Sequence, residues 1–222
     1  MHLDIIIFAA IAVFLALRLK SVLGSRPDND RQRPNPFVEA EKTAKAEAAP
    51  AQTVVPLPLP ARTITAPDGT DAETAAGLQD IATADPSFDP ADFMTGAKAA
   101  FEMIVTAFNT GDRATLTSFV SPKLYADFDA AIAEREQAGH IAETVIHRIQ
   151  SARITAAKLG GVMAYVTVTY DVEQTAFTRD RTGAVIDGNP DTRATIENIW
   201  TFSRDIRADD PNWTLIETAA AS

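Results

Sequence analysis

Apolar and polar positions along the chain follow three successive patterns. The first is an unbroken apolar run of 13 residues from Ile5 to Leu17, with Ile5, Ile6, Ile7, Phe8, Phe14, Leu15 and Leu17 as its bulky members. The run spans about 20 Å as a helix, and the stretch from Leu3 to Leu23 spans about 31 Å. That length matches a hydrocarbon core of about 30 Å if Arg18 and Lys20 snorkel their charges to the interface. Apolar residues surround the whole circumference, unlike the single stripe of a soluble surface helix. The run is preceded by Asp4 and by no Lys or Arg, and no A-x-A site follows it, which argues against a cleaved signal peptide. The pattern predicts a single-pass transmembrane anchor over residues 1–24. Arg18, Lys20, Arg26, Arg31 and Arg33 follow the span, against Asp28 and Asp30. The positive-inside rule then puts the bulk of the chain in the cytoplasm, on the inner face of the cell inner membrane. The same cations serve as a stop-transfer flank and can touch anionic headgroups.

The second pattern, residues 25–70, has no hydrophobic period. It holds Pro27, Pro34, Pro36, Pro50, Pro56, Pro58, Pro60 and Pro67 among Ala, Glu, Lys, Thr and Val. In Val54-Val55-Pro56-Leu57-Pro58-Leu59-Pro60 each proline pushes its predecessor out of the helical region, so this stretch is expected to be extended. The region reads as a disordered, partly polyproline tether with an r.m.s. reach of roughly 35–40 Å. VVPLPLP reads first as a plain spacer and second as a docking peptide for a partner's groove.

The third pattern, residues 71–222, is that of a folded domain. Leu78 and Ile81 lie at helical spacing within Ala72 to Ala84. A longer helix is capped by Asp89 with Pro90 behind it, carries Phe93, Ala97, Phe101, Ile104, Val105 and Phe108 on one stripe, and stops at Gly111. Asp112 caps a short helix, and Ser121-Pro122 starts another with Leu124, Phe128 and Ile132 on one face, stopped by Gly139. The period then changes to two. A long bent strand carries Thr144, Ile146, Ile154 and Ala156. After Gly160-Gly161 a second strand alternates Val162, Ala164, Val166, Val168, Tyr170 and Val172 with polar positions. Asp180 to Gly183 is a hairpin turn, and Thr192 to Arg204 and Trp213 to Thr218 are the remaining strands. Helices first and strands afterwards predict an α+β fold, with the helices packed on a curved antiparallel sheet in a cone of the nuclear-transport-factor-2 or cystatin type.

Composition narrows the chemistry. The 222 residues include 30 acidic and 20 basic side chains, a formal net charge of −10, so direct nucleic-acid binding is not expected. There is no cysteine, and the histidines are His2, His140 and His147. Thiolate zinc sites, iron–sulfur clusters, thiol nucleophiles and histidine-rich metal sites are therefore excluded, and no metal or cofactor is expected. Candidates for acid–base work in a cone are Tyr165, Tyr170, Asp171, His147 and Asp127, but Asp127 and Asp129, two apart on a helix, make no carboxylate pair, His147 beside Arg148 reads as a surface or edge residue, and no catalytic residue is assigned. Phe93, Phe101, Phe108, Tyr165 and Trp200 are candidates for an apolar pocket that would take a lipid tail or a peptide side chain.

Four segments carry a family resemblance: FMTGAKAAFEMIVTAFNTGD at 93–112, LYADFDAAIAEREQAG at 124–139, AVIDGNPD at 184–191 and IWTFSRDIRADDPNWTLIET at 199–218. Their order and spacing resemble the Tim44-like domain, and residues 4–24 resemble the amino-terminal anchor of its bacterial members. The resemblance implies adaptor work and not catalysis. The mitochondrial import member tethers a heat-shock chaperone motor beneath a membrane channel, and a mitochondrial ribosomal member works near the membrane. The implied partners here are the bilayer, through the leading helix, and a protein. An enzyme using the cone and a ribosome or chaperone tether are the alternatives. In mitochondrial relatives the helices that open the domain are implicated in binding anionic lipid. Here those helices carry Asp80, Asp85, Asp89, Asp92 and Glu102 against Lys98, so electrostatic lipid binding by that surface is not expected.

Overall fold

The computed structural model describes residues 63–220. The expected anchor, and the expected tether up to residue 62, lie outside the described residues. Among the described residues no helix is long and apolar enough to cross a membrane.

Helix boundaries follow from local capping chemistry. Helix α1 (Ala72–Ala84) starts where the Asp71 carboxylate accepts the Thr74 N–H. Helix α2 (Pro90–Thr110) starts where Asp89 accepts the Ala91 and Asp92 N–H groups. It ends at Gly111, whose φ of 71° lets its N–H reach back to the Ala107 and Phe108 carbonyls. Helix α3 (Arg113–Phe119) is capped by Asp112. Helix α4 (Pro122–Ala138) is capped by Ser121 and closed by Gly139 at φ 72°. Each cap contributes about 1 kcal/mol.

The strands are β1 (Ile141–Gly160), β2 (Met163–Arg179), β3 (Val185–Gly188), β4 (Ala194–Asp205) and β5 (Thr214–Ala220). They form one antiparallel sheet in the order β1-β2-β4-β5, with β3 paired to the far end of β2. Register shifts at Ile146/Arg148, Ile149/Ser151 and Ile154/Ala156 bend β1. The expected curved sheet under a helical layer is therefore present. Two details differ from the sequence reading. Strand β2 continues past Val172 to Arg179, because Gln174, Thr175 and Thr178 are buried in its pairing with β1 although their polarity breaks the apolar alternation. Val185–Gly188 is a short strand after the Asp180 to Gly183 turn, where the sequence reading named none.

The core lies between the layers. Ala164, Val166, Val168, Tyr170 and Val172 of β2 face Phe101, Ile104, Leu116, Phe128 and Ile132 of the helices, with Trp200, Phe202 and Leu215 from β4 and β5. Phe101 packs on Trp200 at 4.6 Å and on Tyr170 at 4.7 Å between ring centroids. Helix α1 lies close on β1: a Cβ at Gly77 would sit 2.0 Å from the Ala157 carbonyl oxygen. The opposite sheet face is polar. Thr155 meets Thr169 and Thr167 meets Thr201, each at 3.0 Å between hydroxyls, and Arg153 pairs with Asp171 at 3.4 Å. Upstream of α1, the Ile64 N–H donates to Gln79 Oε1 at 3.1 Å, and Ile64 packs against the core.

Candidate functional site: an apolar groove on helix α2

An open groove of about 450 Å³ runs beside the first half of α2. Its floor is aromatic. Phe93 meets Phe202 edge-on at 5.9 Å and Trp213 at 4.8 Å, and Phe88 meets Trp213 at 5.7 Å. Pro211, Asn212 and Trp213, from the β4–β5 connection, form one wall. The other wall is the small-residue side of α2, with Gly96, Ala99 and Ala100, and it ends at Met103, which is 42% exposed. Aromatic edges and faces on one side and a smooth helix on the other suit an extended apolar peptide better than a compact polar substrate.

Three charged side chains, Asp89, Asp92 and Arg204, line the groove. Asp89 and Asp92 stand at the mouth, where α2 begins. Arg204 lies along the groove and pairs with Asp85 at 2.9 Å, with side chains 10% and 7% exposed. The Ser87 N–H and hydroxyl both donate to Asp85 Oδ1, at 3.0 and 2.6 Å, fixing the carboxylate against the guanidinium. Among the described residues the buried Arg204 Nε finds no hydrogen-bond partner.

The five residues expected to form an apolar pocket are dispersed. Phe93 lines the groove. Phe101 and Trp200 are core, stacked on each other. Phe108 packs on Phe128 at 5.1 Å, beneath the Arg135 guanidinium. Tyr165 lies on the polar face of the sheet, opposite Ser203 in register, and takes no part in the core. Phe88, Met103, Phe202, Pro211 and Trp213 were not placed at a site by sequence reasoning. The DPNW element held two of them, and its turn chemistry was the available signal.

The acid–base candidates do not converge either. The Tyr170 hydroxyl is buried and donates to the Ala97 carbonyl at 3.0 Å, and burial pushes its pKa well above the usual phenol range. Asp171 lies on the polar face, where it accepts from Ser151 and pairs with Arg153. His147 is exposed, its Nε2 2.9 Å from the Thr175 hydroxyl. Asp127 is half-buried on α4. Among the described residues no cluster of His, Asp or Glu could hold a metal ion.

Comparison with known proteins adds three findings. The family model of the Tim44-like domain matches residues 74–220. The mitochondrial import inner membrane translocase subunit TIM44-1 of Arabidopsis thaliana is 20% identical over 134 residues, covering 60% of this chain and 28% of that protein. This chain thus spans well under a third of that relative's length. The crystal structure of the intermembrane space region of the chloroplast protein ARC6 superposes with a TM-score of 0.42 at 13% identity, covering 58% of this chain and 96% of that one.

Proposed function

This chain belongs to the Tim44-like domain family, and from that premise we propose that it is a membrane-associated adaptor in protein translocation or membrane-protein assembly. In this reading residues 1–24 anchor it in the cell inner membrane by a single span. Residues 25–70 link the anchor to the domain, with their last stretch from Ile64 packed along α1, and the domain of residues 71–222 works on the cytoplasmic side. The α2 groove takes an apolar segment of a protein partner. No catalytic step is assigned. Holding a weakly binding module near its target raises its effective concentration, toward millimolar for short linkers, so a groove of modest affinity suffices.

The observation that carries the proposal is the open, aromatic-floored groove itself, with Trp213 and Met103 reachable from solvent beside a filled core. It is tested by partner capture from membranes with three forms: the full chain, a form lacking residues 1–24, and a full chain carrying Met103→Asp. We expect a specific protein on the full chain that is strongly depleted on the Met103→Asp form and reduced without the anchor. Recovery of the same proteins by all three forms, or of no specific protein by any, would overturn the reading.

A further inference from the structure

The described chain upstream of α1 lies back along that helix. Asp71 caps the first turn of α1, and Ile64 is held by Gln79, about two turns further along the same helix. Residues 64–71 therefore run antiparallel to α1. An extended chain continued upstream in the same sense would head for the C-terminal end of α1. There Asp85 meets Arg204 at 2.9 Å, and the groove opens at Ser87 and Phe88.

The distances match. From Gln79 to Asp85 is about 9 Å of helix axis. From Ile64 back to Pro60 is about 12 Å of extended chain at ~3.1 Å per residue. An extended chain of that length is long enough to bring Pro60 to the mouth of the groove. The segment Val54–Pro60 then spans about 22 Å, while the groove wall from Asp92 to Met103 is about 17 Å long.

The chemistry matches as well. VVPLPLP is uncharged and apolar, and its three prolines favour an extended backbone and lack donors that an apolar groove could not satisfy. Aromatic floors such as that of Phe88, Phe93 and Trp213 are the surfaces on which polyproline segments dock. Arg62, just past the segment, would face the acidic mouth of Asp89 and Asp92.

We propose that Val54–Pro60 of the same chain occupies the α2 groove, so that an incoming partner must displace it. The occupancy is intramolecular and the linker is short, which gives the segment an advantage over any equally weak ligand in trans. The regulatory consequence rests on the groove being the adaptor's docking surface. The occupancy itself does not, and it is measured with no partner present.

The chain has no cysteine, so a pair can be introduced cleanly. The test uses the full chain with Leu57→Cys and Ala99→Cys, Ala99 being exposed in the groove wall. The control carries Leu57→Cys with Lys158→Cys, which is exposed on the polar face of the sheet. Dilute protein is oxidised mildly, and disulfide formation is followed by non-reducing gel and mass spectrometry. The groove pair is expected to close within one molecule at least ~10-fold faster than the control pair, and Leu59→Asp is expected to slow it to the control rate. Equal rates for the two pairs, or insensitivity to Leu59→Asp, would overturn the proposal. So would a disulfide joining two molecules, which would place a second copy's segment in the groove. If the crosslink forms but partner capture fails, the adaptor reading falls and the occupancy stands; the converse result separates them the other way.

Discussion

Asp85 and Arg204 pair at 2.9 Å with little exposure on either side. Charges so deeply placed are tolerated only while compensated. Asp85→Ala leaves the guanidinium without its partner and is expected to cost about 3–5 kcal/mol, seen as a lower urea midpoint. Replacing both, Asp85→Leu with Arg204→Met, is expected to recover most of that loss, because an apolar pair of similar volume often matches a buried ion pair. That Arg204 ends a strand was readable in the sequence. Its partner was not, since Asp85 lies at the far end of α1 and no local spacing connects the two. Tyr165 shows a different shortfall. It sits five positions from Tyr170 on one strand, and an odd separation puts the two on opposite faces. Grouping Tyr165 with the aromatic stripe of α2 set this alternation aside.

Helix starts and stops were the most legible features at the level of elements. An Asp or Ser cap precedes every helix, and glycines with positive φ close two of them. The strands were less legible. The far half of β2 and the short β3 are held by backbone pairing to neighbours distant in sequence, so their side chains need not alternate. Contacts between elements left even less trace, as two helical glycines show. At Gly96 nothing lies within 4 Å of an added Cβ, and Gly96→Ala is expected to stabilise by about 0.5–1 kcal/mol. At Gly77 the same methyl would meet the Ala157 carbonyl oxygen at 2.0 Å. Gly77→Ala is therefore expected to destabilise by about 1–3 kcal/mol, because α1 must lift from β1. Paired urea denaturation curves check both signs. The groove belongs with these cases, since its two walls come from α2 and from a turn about a hundred residues later in the chain.

The whole molecule is acidic, and part of its acid response is set by caps and turns. A hydrogen bond from the Arg207 side chain holds the Asp205 carboxyl at about 2. The Thr74 backbone N–H holds Asp71 low, and the hydroxyls of Thr115 and Thr182 do the same for Asp112 and Asp180. Arg113 lowers Glu136. These pKa values are depressed by folding, so the stability they contribute is complete above the unfolded carboxylate range and is lost as pH falls through the folded values. The urea midpoint is expected to be flat from pH about 7 to about 5 and to fall below about 4. A midpoint that rises on acidification would contradict this.

The antiparallel run of residues 64–71 along α1 has a mechanical consequence. Once Val54–Pro60 has left the groove, a pull arriving from the amino-terminal side meets the Ile64–Gln79 contact, then the turn before Asp71, then the opening turn of α1. These contacts lie in series and yield one at a time, as in unzipping, whereas strands under shear must give way together. Tension on the leading end would therefore peel α1 from β1 while the sheet stayed intact, making the first helix the compliant link between load and domain.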